Sequence, residues 1–372
     1  MKRSLILALL LIAGCRTLGP DVAPHRKFRI VGYVRGRADI NAIGAKKLTH
    51  INYAFAKVNP LGVIELEDPD APSHLAQLQA LKAVNPDLKI IVSVGGWGAD
   101  YFSDAALDDA SRCRFADSAI NVIKRYALDG IDLDWEYPGQ PGPGIKFRAE
   151  DKENFTLLLK TLREELDMLS DARRRKRFDR YTLTIASAGG RYFEHTEMEK
   201  LHPFLDWINV MTYDFSGGWS PTTGHHTPLY RSAAAAQPES TETFIRQHLH
   251  AGIPPKKIVV GVAFYGRGWR GVIRDNSGLY QRYDQYESDY PYWKLLTQYV
   301  HAEGYEQRWD AAAHAPFLWN AEVGRFITYD DPRSLAEKAR FVRTYGLGGI
   351  MYWEHSHDPS EVLLSTLYFA LQ

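Results

Sequence analysis

The densest chemistry in the chain lies in one run: Asp129-Gly130-Ile131-Asp132-Leu133-Asp134-Trp135-Glu136-Tyr137-Pro138. On a strand, side chains alternate, so Asp132, Asp134 and Glu136 share one face while Ile131, Leu133 and Trp135 share the other. Each step of two residues advances roughly 6.5–7 Å, so the acids climb along one line and Glu136 stands last. Burying three carboxylates is expensive unless protons are shared or donors are supplied. Repulsion from Asp134 is expected to raise the pKa of Glu136, keeping it protonated near neutral pH as a general acid requires. A solvated acidic strand is the bland alternative, and it leaves Ile131, Leu133 and Trp135 no sensible face. A divalent-metal site is a second alternative, since carboxylates are hard ligands. It lacks companions, because no His-rich or Asp-rich motif stands at another strand end; no metal or other cofactor is expected.

These acids need a scaffold, and the rest of the chain supplies one. Short β-rich runs at Phe28–Val34, Thr49–Ala56, Leu88–Val94, Gly130–Trp135, Tyr181–Ser187, Trp207–Tyr213, Ile258–Phe264 and Gly348–Trp353 alternate with helical segments. In Phe155–Leu169, for instance, Phe155, Leu158, Leu159, Leu162 and Leu166 fall on one helical face. Strand–helix alternation implies parallel strands, and eight units imply a closed (β/α)8 TIM barrel with chemistry at the C-terminal strand ends. In such a barrel the acids point inward. A doubly wound open sheet is the alternative, but Gly95-Gly96 lacks the rest of a phosphate-binding fingerprint. The last two runs are separated by 83 residues, Tyr265 to Leu347, where one helix and its loops need about 30. Residues 268–331, rich in Tyr and Trp and with a helix at Tyr292–Leu296, read as a small α+β insertion on the active face. Asp171–Arg180 holds six basic residues among ten and reads as a solvated turn.

Composition narrows the partner. Lys plus Arg and Asp plus Glu both total 45 in 372 residues, so the chain has no net charge and a nucleic-acid partner is not expected. A neutral polysaccharide suits the nine Trp. Lys2-Arg3, the apolar run Leu5–Ala13 and Gly14-Cys15 read as a bacterial export signal too short to span a membrane permanently. The expected organisation is a signal at 1–14, a tether at 15–26 and a catalytic barrel at 27–372. Ile12-Ala13-Gly14-Cys15 is similar to a lipobox, which implies lipidation at Cys15. Arg16 favours sorting to the outer membrane, and contact with a membrane is expected only through the lipid. Only Cys113 then remains, so packing rather than a disulfide must supply stability. The expected state is a monomer.

The acidic run resembles the Asp-x-x-Asp-x-Asp-x-Glu signature of family eighteen glycoside hydrolases, the chitinases and their relatives. Further motifs carry the resemblance over residues 28–358. Ser93-Val94-Gly95-Gly96-Trp97 is similar to the family's third-strand motif and Met211-Thr212-Tyr213-Asp214 to its sixth. Tyr265-Gly266-Arg267 is similar to its seventh and Gly349-Ile350-Met351-Tyr352-Trp353-Glu354 to its eighth.

The resemblance implies retaining hydrolysis of β-1,4 bonds between N-acetylglucosamine units by the substrate-assisted route, an exception to the usual pair of carboxylates. It implies Glu136 as acid and base, Asp134 orienting the acetamido N–H, and Asp132 sharing a proton with Asp134. Tyr213 holds the acetamido carbonyl, Asp214 grips the distorted sugar and Trp353 forms a floor beneath it. Trp97, Trp219 and Trp269 are candidate stacking platforms and Arg267 a candidate polar contact. Tyr33 and Ser93 are candidates to hydrogen-bond the inner acids. Phe55, Tyr137, Met211 and Tyr265 complete the expected substrate-binding set. Asp129 is expected to shape its loop instead. The rival functions are a non-catalytic chito-oligosaccharide lectin and an endo-β-N-acetylglucosaminidase acting on glycans or peptidoglycan fragments. Glu136, Asp134 and Tyr213 are all present, against the lectin; the insertion, which in the family deepens the cleft, favours a chitinase.

Overall fold

The computed structural model describes residues 28–372 apart from 177–178, 236 and 238. The expected signal, Cys15 and the tether lie outside the described residues. In chain order the elements begin with β1 (Arg29–Arg35), β2 (His50–Val58), β3 (Ile64–Glu65), α1 (Ala71–Ala80) and β4 (Lys89–Gly95). Next come α2 (Phe102–Ala105), α3 (Asp109–Arg125), β5 (Gly130–Asp134), α4 (Asp151–Ala172) and β6 (Thr182–Ser187). Short helices α5 (Arg191–Glu194) and α6 (Met198–Leu201) lead to β7 (Trp207–Val210), α7 (Thr241–His250) and β8 (Ile258–Ala263). An inserted unit holds β9 (Tyr265–Arg270), β10 (Gln285–Pro291), α8 (Tyr292–Gln298), β11 (Glu306–Asp310), β12 (Ala315–Asn320) and β13 (Arg325–Thr328). The chain then returns through α9 (Pro332–Thr344), β14 (Gly349–Trp353) and α10 (Val362–Ala370).

Eight parallel strands close a barrel in the order β1, β2, β4, β5, β6, β7, β8, β14, with β14 pairing back to β1. This is the expected TIM barrel, and its outer layer follows from the strand alternation. Trp135 stacks on Phe102 of α2 at 5.3 Å and meets Phe155 of α4 edge-on at 5.4 Å. The predicted stripe of α4 (Phe155, Leu158, Leu159, Leu162 and Leu166) is wholly buried against the barrel. Because Trp135 turns outward, its alternating neighbours turn inward.

Among its described residues the basic stretch at 171–180 is largely exposed, as expected of a solvated turn, and it carries ion pairs. Arg175 reaches Asp129 at 3.2 Å and Arg180 reaches Asp167 at 3.3 Å, while Asp179 receives Lys89 at 2.6 Å. The sixth barrel strand ends at Val210 rather than Tyr213. Thr212 N–H turns back to the Val210 carbonyl and Asp214 adopts φ 62°, which breaks the extended chain.

The insertion is a five-stranded antiparallel sheet, ordered β10-β9-β13-β12-β11, with α8 beside it. Its aromatics build a separate small core of Trp269, Val272, Leu279, Phe317, Trp319 and Phe326. Strand β9 starts one residue after Phe264, so it carries the barrel's C-terminal rim directly into the insertion.

Candidate active site

Asp132 lies inside the barrel, fully buried. It accepts hydrogen bonds from Tyr33 Oη (2.8 Å) and Ser93 Oγ (2.7 Å) on one oxygen. Thr184 Oγ1 (2.6 Å) and Asn209 Nδ2 (3.2 Å) donate to the other. These donors come from β1, β4, β6 and β7, so the barrel wall itself supplies what a buried carboxylate needs. Burial raises the Asp132 pKa and the four donors oppose that rise. Tyr33 and Ser93 stand where the sequence placed them. Thr184 and Asn209 were missed; their only signal is a polar residue interrupting an apolar, inward-facing strand.

Asp134 is buried, and its Oδ1 has no partner among the described residues. Burial first, then the charges of Glu136 and Asp132, push its pKa well above the usual carboxylate range. A close backbone approach fixes this acid: the Gly96 N–H donates to the Asp134 carbonyl at 2.9 Å. Gly95, at φ 125°, leaves space there, since a Cβ would stand 2.0 Å from that carbonyl oxygen. The Gly95-Gly96 pair is therefore a packing requirement of the neighbouring acid strand.

Glu136 follows the strand end, and its pKa is pushed up to about 7. Burial contributes most and the charge of Asp214 adds to it, while a hydrogen bond from Tyr137 and the charge of Lys57 oppose the rise. Glu136 and Asp134 also repel each other, as expected, but burial outweighs that repulsion. Lys57 of β2 was not anticipated; its Nζ donates to the Gly95 carbonyl at 2.6 Å. A lysine in a strand ordinarily reads as solvent-facing, and no spacing rule separates this one.

Asp214 is ionised. Its Oδ1 accepts from Tyr265 Oη (2.6 Å) and Arg267 Nε (2.8 Å), and Arg267 Nη2 lies 2.7 Å away. The neighbouring His226 and then Arg267 overcome burial and hold its pKa well below the usual range. Tyr265 and Arg267 share one face of β9, so the insertion's first strand delivers both. Arg267 also bonds Asp289 at 2.8 Å and lies over the Trp219 ring at 4.9 Å.

A cavity of ≈ 710 Å³ unites these groups. Asp134, Glu136, Tyr213, Asp214, Tyr137, Met211, Tyr265, Arg267, Phe55, Trp97, Trp219 and Trp353 all line it, with Asp132, Tyr33 and Ser93 beneath. Trp353 stacks on Phe55 at 5.4 Å and forms an aromatic floor with it. Trp97 and Trp219 are 66% and 63% exposed at the rim, as free stacking surfaces must be. Trp269 is not part of the site. It is 0% exposed in the insertion's core, packed against Phe326 and Tyr286, because β9 has by then left the barrel rim. Asp129 accepts from the Ile90 N–H and pairs with Lys82, away from the cavity, so it shapes its loop as expected. Ala188, Phe215, Gln237, Glu239 and Phe244 also line the cavity. Phe244 comes from α7 and the others from loops, none in a chemical motif, and only the closed fold brings them in.

This arrangement agrees with a comparison of the whole sequence against protein families, in which residues 29–358 match the model of glycosyl hydrolases family 18. The chain belongs to that family. Among family 18 relatives, chitinase A1 of Niallia circulans is 38% identical over 91% of this chain, which spans 58% of that protein's length. Chitinase B of Serratia marcescens is 33% identical over 86% of this chain and 75% of its own. A solved family 18 N-acetylglucosaminidase from Paenibacillus barengoltzii superposes with a TM-score of 0.86 at 40% identity, covering 92% of this chain and 99% of that one.

Proposed function

We propose that this protein hydrolyses β-1,4 bonds between N-acetylglucosamine units, in chitin or chito-oligosaccharides, with retention of configuration. The observation that carries the reading is the unequal state of the acids. The Glu136 pKa is pushed up to about 7, that of Asp134 is pushed well above the usual carboxylate range, and Asp214 is ionised but committed to Arg267 and Tyr265. None of the three is a free carboxylate nucleophile, so the nucleophile comes from the substrate's own acetamido oxygen.

In this mechanism the acetamido oxygen attacks the anomeric carbon as Glu136 gives its proton to the glycosidic oxygen and the C–O bond breaks. An oxazolinium ion results. The unpartnered Asp134 oxygen accepts the acetamido N–H and stabilises the developing positive charge. Four donors already favour the ionised form of Asp132, so in the resting state a proton held by the pair resides on Asp134. Tyr213, whose hydroxyl is kept neutral by burial and neighbouring acids, donates to the acetamido carbonyl. Asp214 holds the distorted ring and Trp353 supports its apolar face. Water then attacks the anomeric carbon as its bond to the acetamido oxygen breaks, Glu136 takes the water's proton, and configuration is retained.

A second reading, release of N-acetylglucosamine from short chains or glycan fragments, is favoured by the full-length likeness to the Paenibacillus N-acetylglucosaminidase. Digestion of N-acetylglucosamine oligomers of defined length separates the two. Cleavage of internal bonds supports the chitinase reading, and release of single end units supports the second. No cleavage of any oligomer overturns both and leaves the lectin. The N-terminal sequence supports a further proposal, export with lipid attachment at Cys15 at the outer membrane. Metabolic fatty-acid labelling that persists in Cys15→Ala would overturn that proposal.

A further inference from the structure

His226 has no role in the mechanism above, yet it is fully buried directly beside one of that mechanism's acids. Its Nδ1 stands 3.6 Å from Asp214 Oδ1, and its ring lies 5.1 Å from the ring of Tyr265. Neither ring nitrogen has a hydrogen-bond partner among the described residues. Buried polar atoms without partners carry a free-energy penalty, and in native proteins each one calls for a reason.

The backbone that carries the ring is nonetheless held firmly. The His226 carbonyl accepts the Phe215 N–H at 3.0 Å, and its own N–H faces Thr328 Oγ1 at 3.4 Å. The next residue, Thr227, donates to the Thr212 carbonyl at 3.0 Å and accepts from the fully buried Lys338 at 2.6 Å. Lys338 in turn pairs with Asp330 at 2.7 Å. The backbone on both sides of Asp214 is thus tied to the segment carrying His226.

Asp214 explains why this matters. The contacts from Tyr265 and Arg267, like the approach of His226, all fall on Oδ1. The carboxylate is pinned through one oxygen from the protein side, and Asp214 also lines the cavity. We propose that His226 is a positioning residue which seats Asp214 from behind, keeps its second oxygen toward the sugar, and links that carboxylate to pH through its own ionisation. This inference rests on the function proposed above.

The groups facing the imidazole define the direction. Asp214 and Asp330 favour its protonated form, and Arg267 and burial disfavour it, with burial the largest. Tyr265 stays neutral, and the neighbouring His225 is turned away toward Asp310 at 3.2 Å. The imidazole is therefore neutral near pH 7. On acidification it becomes a second cation on Oδ1 beside Arg267, drawing the charge of Asp214 away from the sugar and from Glu136.

Two substitutions separate the functions of the ring. His226→Asn keeps an N–H donor near the Nδ1 position and cannot ionise; His226→Leu removes both. The assay is kcat and KM on N-acetylglucosamine oligomers from pH 4 to 8, with thermal melting to establish folding. His226→Leu should lose about tenfold or more in kcat/KM, the scale of removing a polar group set close against a charged carboxylate. His226→Asn should stay within about threefold of the wild type near neutral pH, with the acid limb of its profile shifted to lower pH. Wild-type constants and an unchanged acid limb in both variants overturn the proposal. If His226→Leu fails to fold, the acid limb of His226→Asn decides alone. An inactive wild type would refute the function reading instead. The coupling is then decided by the NMR titration of His226, whose pKa must fall in Asp214→Asn; an unchanged value overturns it.

Discussion

Replacing Glu136 by Gln should make the protein more stable as it abolishes turnover, and the gain should depend on pH in a calculable way. The folded-state pKa is raised from 4.5 to about 7, chiefly by burial. The unfolded chain ionises this group from about pH 4.5 upward, whereas the folded chain resists until about pH 7. A carboxyl with a raised folded pKa therefore costs stability as pH rises between those values and costs nothing below them. The shift is worth about 3 kcal/mol by pH 7, at roughly 1.36 kcal/mol per pKa unit. Gln is an uncharged near-isostere and removes the penalty. For a domain of this size, about 3 kcal/mol corresponds to a rise of roughly 4 °C in melting temperature. Scanning calorimetry of wild type and Glu136→Gln from pH 4 to 8 is the assay. The two melting temperatures should coincide near pH 4, diverge through pH 6 and stay apart above pH 7, with the variant higher. A gap that is constant with pH, or one that reverses, would show that Glu136 is not buried in the folded protein as described.

Three further outcomes follow from the same geometry. Thr184→Val removes one of four donors from Asp132 without changing shape; it should cost about 1.5–3 kcal/mol in chemical denaturation and lower kcat, because Asp132 then competes with Asp134 for their proton. Arg267→Lys cannot span Asp214 and Asp289 together; kcat/KM should fall about tenfold or more, measured at saturating and limiting oligosaccharide, while the fold remains intact. Trp269→Ala should destabilise by about 3–5 kcal/mol yet leave KM for short oligomers near the wild-type value, because that ring packs inside the insertion; a selective rise in KM at unchanged stability would return Trp269 to the cleft.

The parts of this molecule legible in the sequence are those governed by short-range periodicity. Alternation along Gly130–Glu136 sets which side chains face in, and Trp135 against Phe102 and Phe155 bears this out. The α4 stripe and the eight β-rich runs follow for the same reason. What escaped is set by distant strands meeting. Thr184 and Asn209 become ligands of Asp132 only through register across the closed barrel. Lys57 reaches the acids because β2 stands beside the β4 rim. Trp269 obeys the same alternation as Arg267, but β9 crosses from the cleft into a second core between them, and no residue spacing reports that crossing. The parts that burial and Asp214 play in the Glu136 shift were hidden for a similar reason: the depth of the cavity and the position of Asp214 are properties of the closed fold.

The central claim, that the nucleophile belongs to the substrate, is tested most directly by a pair of chromogenic β-glycosides differing only at carbon 2. The 2-acetamido compound should be hydrolysed, and its 2-hydroxyl counterpart should be bound but turned over slower by several orders of magnitude. Comparable rates for the two would contradict the claim, because an enzyme residue would then be attacking the sugar.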